Sequence, residues 1–181
     1  VPVINAGDGS YAHPTQALGD LYTLNETYGY LEGLKITIVG DILHSRVARS
    51  SVQTFLEMGC DVKLCGPEEF LPKANFNYGE IVTTNLNEAL KGADVVMALR
   101  IQKERLDVTE KIDFNDYISN YQINKKNLGR AKLIHPGPVN QGVEIEIGLV
   151  NDSRSLIELQ VYNGLFMKMA VLQEYLSGEN E

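Results

Sequence analysis

Two arginines, Arg46 and Arg100, stand just past short apolar runs, in the segments HSRVARS and DVVMALR. A guanidinium is planar and presents parallel N–H donors that match both oxygens of a carboxylate. Two of them reaching one point could grip a dicarboxylate, one carboxyl group each. Arg49, one helical turn beyond Arg46, reads as the partner of an acid such as Asp41, and Arg105 as a solvated charge. The segment HPGP (135–138) offers the complementary chemistry. Pro136 and Pro138 have no N–H, and Gly137 lets the backbone approach a ligand closely, so the segment is a row of carbonyl acceptors suited to an amine or amide NH2. His135 closes an apolar run and reads as a structural hydrogen-bonder, with a catalytic role as the alternative. In HPTQ, His13 and Gln16 lie a helical turn apart and can face one point. A neutral imidazole can donate to a carbonyl oxygen there, and a glutamine amide can meet an NH2 group. A plain capped helix start explains the same spacing equally well.

The overall charge requires any such anion site to be local. Against 24 Asp and Glu the chain has 16 Lys and Arg, a net charge of −8. Nucleic acid and anionic membranes call for a surplus of positive charge, so neither is expected as a partner. The 181 residues, 44% of them hydrophobic, suffice for one domain with a sizeable core. No apolar run reaches the length of a membrane span, and no signal peptide is visible. The two cysteines, Cys60 and Cys65, form neither a CxxC pair nor a disulfide framework. Placed five positions apart along a strand, they should point to opposite faces as buried thiols, in keeping with a reducing cytoplasm. The chain opens on Val1 without an initiator methionine, so a preceding segment is expected.

The elements that must position these residues alternate. Apolar, β-branched runs at 35–41, 61–67, 80–85, 94–100 and 132–138 read as strands. Helical spacing recurs over 45–58 and, briefly, over 85–93. Strands apolar on both faces and separated by helices indicate an α/β fold: an open, parallel five-stranded sheet with helices on both faces, Rossmann-like in class. Ligands of such sheets bind beyond the carboxyl ends of the strands, which places Arg46, Arg100 and the HPGP segment on one rim. Two further helices stand outside this core. One spans 14–30, with Leu18, Leu21, Tyr22 and Leu24 on its apolar side; the other spans 162–176, with a stripe of Leu165, Phe166, Met169, Leu172 and Leu176 that calls for a packing partner. The stretch 106–130 is polar and broken, a loop with short helices near the site.

In order along the chain, VPVINAGDG…HPTQALGDLYTL, KITIVGD…HSRVARS, LRIQKER, HPGPVNQGVEI and NGLFMKMAVLQEYL resemble the catalytic chain of the aspartate carbamoyltransferases. The match runs from Val1 to the final helix. Ornithine carbamoyltransferases typically carry HCLP where this chain has HPGP and lack the arginine-bearing RIQ segment. The resemblance implies that His13 polarises the carbonyl oxygen of carbamoyl phosphate and that Gln16 holds its amide. It implies that Arg46 and Arg100 bind the carboxylates of L-aspartate, that Gln102 orients that substrate, and that Gly137 and Pro138 accept hydrogen bonds from the reacting amino groups. No metal or other cofactor is implied, because positioning and polarisation carry the chemistry.

The same resemblance divides the chain into an interdomain helix region (1–30), an aspartate-binding α/β domain (31–161) and a C-terminal helix (162–181) that packs on the family's carbamoyl phosphate domain. The Ser-Thr-Arg-Thr phosphate loop of that domain is not in the sequence, so the chain alone is expected to be inactive. The parent would be a homotrimer of pyrimidine synthesis, with a regulatory subunit possible. One departure is Gln141, where members often have arginine. A non-catalytic transcarbamoylase-like binding or assembly domain is the alternative, against which the intact HPTQ, Arg46 and RIQ motifs speak. A nicotinamide dehydrogenase fits poorly, since GDILHS replaces GxGxxG after the first strand.

Overall fold

A computed structural model describes residues 3–72, 80–101 and 113–176. Helix α1 (Pro14–Tyr28) precedes β1 (Lys35–Val39), α2 (Arg46–Glu57), β2 (Asp61–Cys65), β3 (Ile81–Thr83), α3 (Leu86–Leu90) and β4 (Val95–Ala98). Then follow α4 (Phe114–Tyr121), β5 (Lys132–Ile134) and α5 (Ile157–Leu176). All pairings are parallel, and the strand order is β3-β2-β1-β4-β5. The expected open α/β sheet is therefore what forms. Successive strands move outward from β1 on one side, and β4 then returns to pair on its other side. That reversal makes the gap between the carboxyl ends of β1 and β4 the place where loops part and a crevice opens.

The two sheet faces separate residue by residue, because side chains alternate along a strand. Ile36, Ile38, Val62, Leu64, Val95 and Met97 pack with Ala48, Val52 and Phe55 of α2. Val39, Cys65, Val96, Ala98 and Leu133 pack on the other side with Leu86 and Ala89 of α3. Cys60 and Cys65 fall in opposite clusters, as their spacing requires, and both are free thiols. Burial pushes them up to about 11 and 12, respectively, which keeps both protonated and unreactive.

At the rim, glycine sets how closely the strand ends converge. A Cβ on Gly66 would lie 2.5 Å from the carbonyl oxygen of Gly40, and one on Gly40 would lie 2.8 Å from that of Leu99. Gly40 also has φ +128°, a backbone conformation L side chains rarely adopt.

Both outer helices depart from expectation. In α1 the buried residues are Thr15, Ala17, Gly19, Asp20, Thr23 and Leu24; of the expected apolar side only Leu24 is buried, and Tyr22 is 41% exposed. The reason is that α1 meets α5 through small and polar residues. A Cβ on Gly19 would sit 3.5 Å from Gly164 Cα. Asn163 donates to Thr23 Oγ1 at 3.3 Å and to Glu26 Oε2 at 2.8 Å. Helix α5 starts at Ile157 rather than 162, and the residues it buries are Ile157, Gln160 and Asn163. Its stripe of Leu165, Phe166, Met169, Leu172 and Leu176 is exposed. No described helix is long and apolar enough to cross a membrane.

Candidate active site

Each element end delivers one component. Ser45 caps α2 by accepting the N–H of Ala48 at 3.1 Å, which makes Arg46 the first residue of that helix at the rim. Arg46 Nη1 donates to the carbonyl of Gly9 at 3.1 Å, and the guanidinium lies against Gly7, whose Cβ, were there one, would be 3.1 Å from Nη1. The sheet ladder continues one residue past β4, where Leu99 N–H donates to the carbonyl of Val39 at 2.8 Å. Arg100 leaves the sheet immediately after. Arg49 was expected to pair with Asp41. Instead its Nη1 donates to the carbonyl of Tyr11 at 3.2 Å and its guanidinium lies 5.1 Å from the centre of the Tyr11 ring, while Asp41 holds His44. Asp41 Oδ1 accepts the backbone N–H of His44 at 3.1 Å and lies 2.9 Å from its Nδ1, within the first rim turn.

His13 occupies the N-cap position of α1 but makes no side-chain capping bond, and Pro14 follows it. The imidazole is therefore not spent on the helix end. Its backbone N–H is anchored to Ser50 Oγ of α2 at 2.9 Å. Burial lowers its pKa, and the charges of Arg46 and then Lys168 lower it further, so the ring is held neutral. Gln16 donates its amide nitrogen to Asp20 Oδ1 at 2.8 Å.

The loop after β5 contains a cis Gly137–Pro138 bond, and Gly137 has φ +69°. Gly137 N–H donates to His135 Nδ1 at 2.9 Å, and the other ring nitrogen of His135 lies 3.2 Å from Glu144 Oε1. Because Nδ1 accepts, the ring proton is on Nε2 and faces the carboxylate. His135 is thus a buried structural group. Its bond also withdraws the one amide N–H between Pro136 and Pro138, so this loop offers carbonyl oxygens only.

These pieces meet. His13, Gln16, Arg46, Arg100 and the 136–138 loop line one cavity of about 200 Å³, with Ser45, Val47 and Leu99 between them. Larger hollows elsewhere, such as one of about 330 Å³ at the amino ends of the strands, do not combine arginine, histidine and bare carbonyls. Gln102, expected beside Arg100, lies outside the described residues, as do Lys103 and Arg105. Sequence reading missed Asp20, Ser50, Glu144 and Gln160. Asp20 carried a usable signal, the i, i+4 spacing from Gln16 on a helix. Gln160 carried none, being 140 residues from its partner.

A rim that sets two arginines and a histidine beside a loop of carbonyl oxygens has a counterpart among known proteins. Residues 32–174 match the sequence model of the aspartate/ornithine carbamoyltransferase Asp/Orn binding domain, and residues 1–26 match that of the carbamoyl-P binding domain. The chain belongs to the aspartate/ornithine carbamoyltransferase family. It is 50% identical over 180 residues to the aspartate carbamoyltransferase catalytic subunit of Desulfitobacterium hafniense, covering 97% of this chain and 58% of that one. To the Thermus aquaticus catalytic subunit it is 50% identical over 181 residues, covering 98% and 59%. The chain thus spans a little under three fifths of the curated relatives it matches. Among solved structures, the catalytic subunit of M. jannaschii aspartate transcarbamoylase superposes with TM-score 0.81 at 30% identity, covering 98% of this chain and 60% of that one. Ornithine carbamoyltransferase from Thermus thermophilus superposes with TM-score 0.81 at 29% identity, covering 95% and 58%. The carbamoyltransferase fold alone therefore does not choose the amino-acid substrate.

Proposed function

We propose that this chain is the aspartate-binding half of an aspartate carbamoyltransferase, which moves the carbamoyl group of carbamoyl phosphate to L-aspartate. The observation that carries the reading is the single cavity shared by two arginines, a neutral histidine and a loop of carbonyl oxygens. Arg46 and Arg100 bind the two carboxylates of aspartate, and Gln102 orients it. The backbone carbonyls of Gly137 and Pro138 accept from the reacting amino groups. His13 donates to the carbamoyl oxygen, where negative charge develops as the aspartate amine attacks the carbonyl carbon. The tetrahedral intermediate collapses by breaking the carbon–oxygen bond to phosphate, which leaves with the electron pair, and the amine sheds its proton. A cationic amino acid such as ornithine would gain nothing from a second arginine, which favours aspartate.

In this reading residues 31–161 form the aspartate-binding unit. The phosphate-gripping groups lie on a carbamoyl phosphate domain, against which the exposed stripe of α5 packs, and the parent is a cytoplasmic homotrimer. The 181-residue chain assayed alone should give no turnover with carbamoyl phosphate and aspartate. Calorimetry of the full-length protein with L-aspartate, or the unreactive succinate, tests the site. Removing a charge-assisted pair at Arg100→Ala should weaken binding on the order of 10- to 100-fold. Equal heats for wild type and variant would overturn the assignment.

A further inference from the structure

The two walls of the cavity, the His13–Gln16 turn and the loop after β5, are tied together behind it by one chain of hydrogen bonds. Gln16 Nε2 donates to Asp20 Oδ1 at 2.8 Å, and Gln160 Nε2 donates to the same oxygen at 2.7 Å. Gln160 Oε1 accepts the backbone N–H of His135 at 2.8 Å, and His135 Nδ1 accepts that of Gly137 at 2.9 Å. Asp20 and His135 are fully buried and Gln160 nearly so.

Chemistry leaves these groups no freedom of orientation. A backbone N–H can only donate, so Gln160 must turn its oxygen to His135 and its nitrogen to Asp20. Asp20 Oδ1 then receives two amide donors and must be an acceptor. Its other oxygen, Oδ2, is buried with no partner among the described residues, so a proton taken up by this carboxyl resides there and leaves Oδ1 unchanged. Gln16, with one N–H committed to Asp20, is held in the orientation that leaves its carbonyl Oε1 free to face the cavity. Helix α1 thereby presents an acceptor, and the 136–138 loop, stripped of its N–H, presents acceptors from the opposite wall.

We infer that Asp20 and Gln160 are positioning residues that hold the Gln16 carbonyl toward the cavity in fixed register with the 136–138 carbonyls, selecting a ligand that carries an NH2 group. This rests on the carbamoyl-transfer reading, whose donor substrate bears a CONH2 group. Neither residue touches ligand. Without Asp20, the Gln16 amide is free to turn, and the site loses one of the two walls of acceptors by which it tells an amide from a carboxylate.

The test uses the full-length protein and two probes, phosphonoacetamide, which has the NH2, and phosphonoacetate, which has oxygen in its place. Wild type should prefer the amide. Asp20→Ala should reduce that preference at least tenfold, and Asp20→Asn, which keeps an acceptor oxygen for both glutamines, should restore most of it. Gln16→Ala should lose the same preference, and adding Asp20→Ala to it should change the ratio less than twofold. Equal weakening of both probes by Asp20→Ala, or multiplication of the Asp20 and Gln16 effects, would overturn the inference. Wild-type binding of neither probe would instead sink the carbamoyl-transfer reading itself. Should Asp20→Ala fail to fold, the wild-type protein still decides. The side-chain amide protons of Gln16 and Gln160 must respond together to one titration of Asp20, and independent responses would refute their shared contact.

Discussion

Replacing Asp20 with asparagine should change how stability depends on pH, and the structure fixes both the sign and the scale. Asp20 is fully buried, and burial pushes its carboxyl from an ordinary value of 3.8 up to about 7, against the opposing pull of the donors Gln160 and then Gln16. The ionised form is therefore disfavoured in the fold by about 4 kcal/mol, at about 1.4 kcal/mol per tenfold change in proton affinity. Between pH 3.8 and about 7 the folded protein holds a proton on Asp20 that the unfolded chain has released. Stability must fall as pH rises through that window and level off above it. Asparagine has no such titration, but it places an NH2 where Oδ2 has no partner among the described residues, a pH-independent penalty of about 1–3 kcal/mol.

The two stability curves should therefore cross between about pH 4.5 and 6. Below the crossing, wild type is the more stable. Above pH 7 the variant leads by about 1–3 kcal/mol, the remainder when its amide penalty is set against the ionisation cost. Urea unfolding of the full-length protein at intervals from pH 4.5 to 8.5 reads this directly. Parallel curves would refute the reasoning, since they would mean that Asp20 titrates alike in the folded and unfolded chains.

His13→Ala should lower kcat on the order of 100- to 1,000-fold with little change in the KM for aspartate, because the imidazole acts on charge that exists only during reaction. Burial and the nearby cations hold His13 neutral, so the acid limb of the kcat/KM profile should lie below the ordinary imidazole value of 6.5, and a limb above it would contradict the assignment. Gly66→Ala should destabilise by about 1–3 kcal/mol in chemical denaturation, since its Cβ would lie 2.5 Å from a backbone oxygen and the strand ends must move apart. An unchanged midpoint would show that the rim accommodates a methyl group.

How much of this was legible in the sequence depends on the range of the interaction that decides each feature. The strands announced themselves because a buried parallel strand is apolar on both faces, a pattern contained within a few residues. The runs KITIVGD and DVVMALR each extend two residues past the strand ends at Val39 and Ala98. Arg46, Arg100 and the 136–138 loop were legible for the same reason, since a strand end lies on the binding rim whatever its neighbours are. The α1–α5 contact was not legible because it inverts the usual rule. Its buried groups include Thr23, Asp20, Gln160 and Asn163, and the apolar residues that hydropathy singles out on α5 stay exposed. Periodicity ranks residues by hydrophobicity and cannot see a buried polar group whose partner lies on another helix.

That polar contact also bears on why the site holds its geometry. Apolar packing between α1 and α5 would tolerate small slips along the helix axes, because dispersion is nearly indifferent to direction. A carboxyl oxygen receiving two amide donors at 2.7 and 2.8 Å does not, since hydrogen bonds weaken steeply once bent. The close approach at Gly19 and Gly164 brings the helix axes near enough for these short side chains to reach. A side chain larger than alanine at Gly19, where a Cβ would already stand 3.5 Å from Gly164 Cα, should separate Asp20 from Gln160. The features hardest to read from the sequence are thus the ones that set the register between the two cavity walls. A binding rim can be recognised from strand ends alone, but the angular precision of its acceptors comes from a polar contact 140 residues apart in the chain.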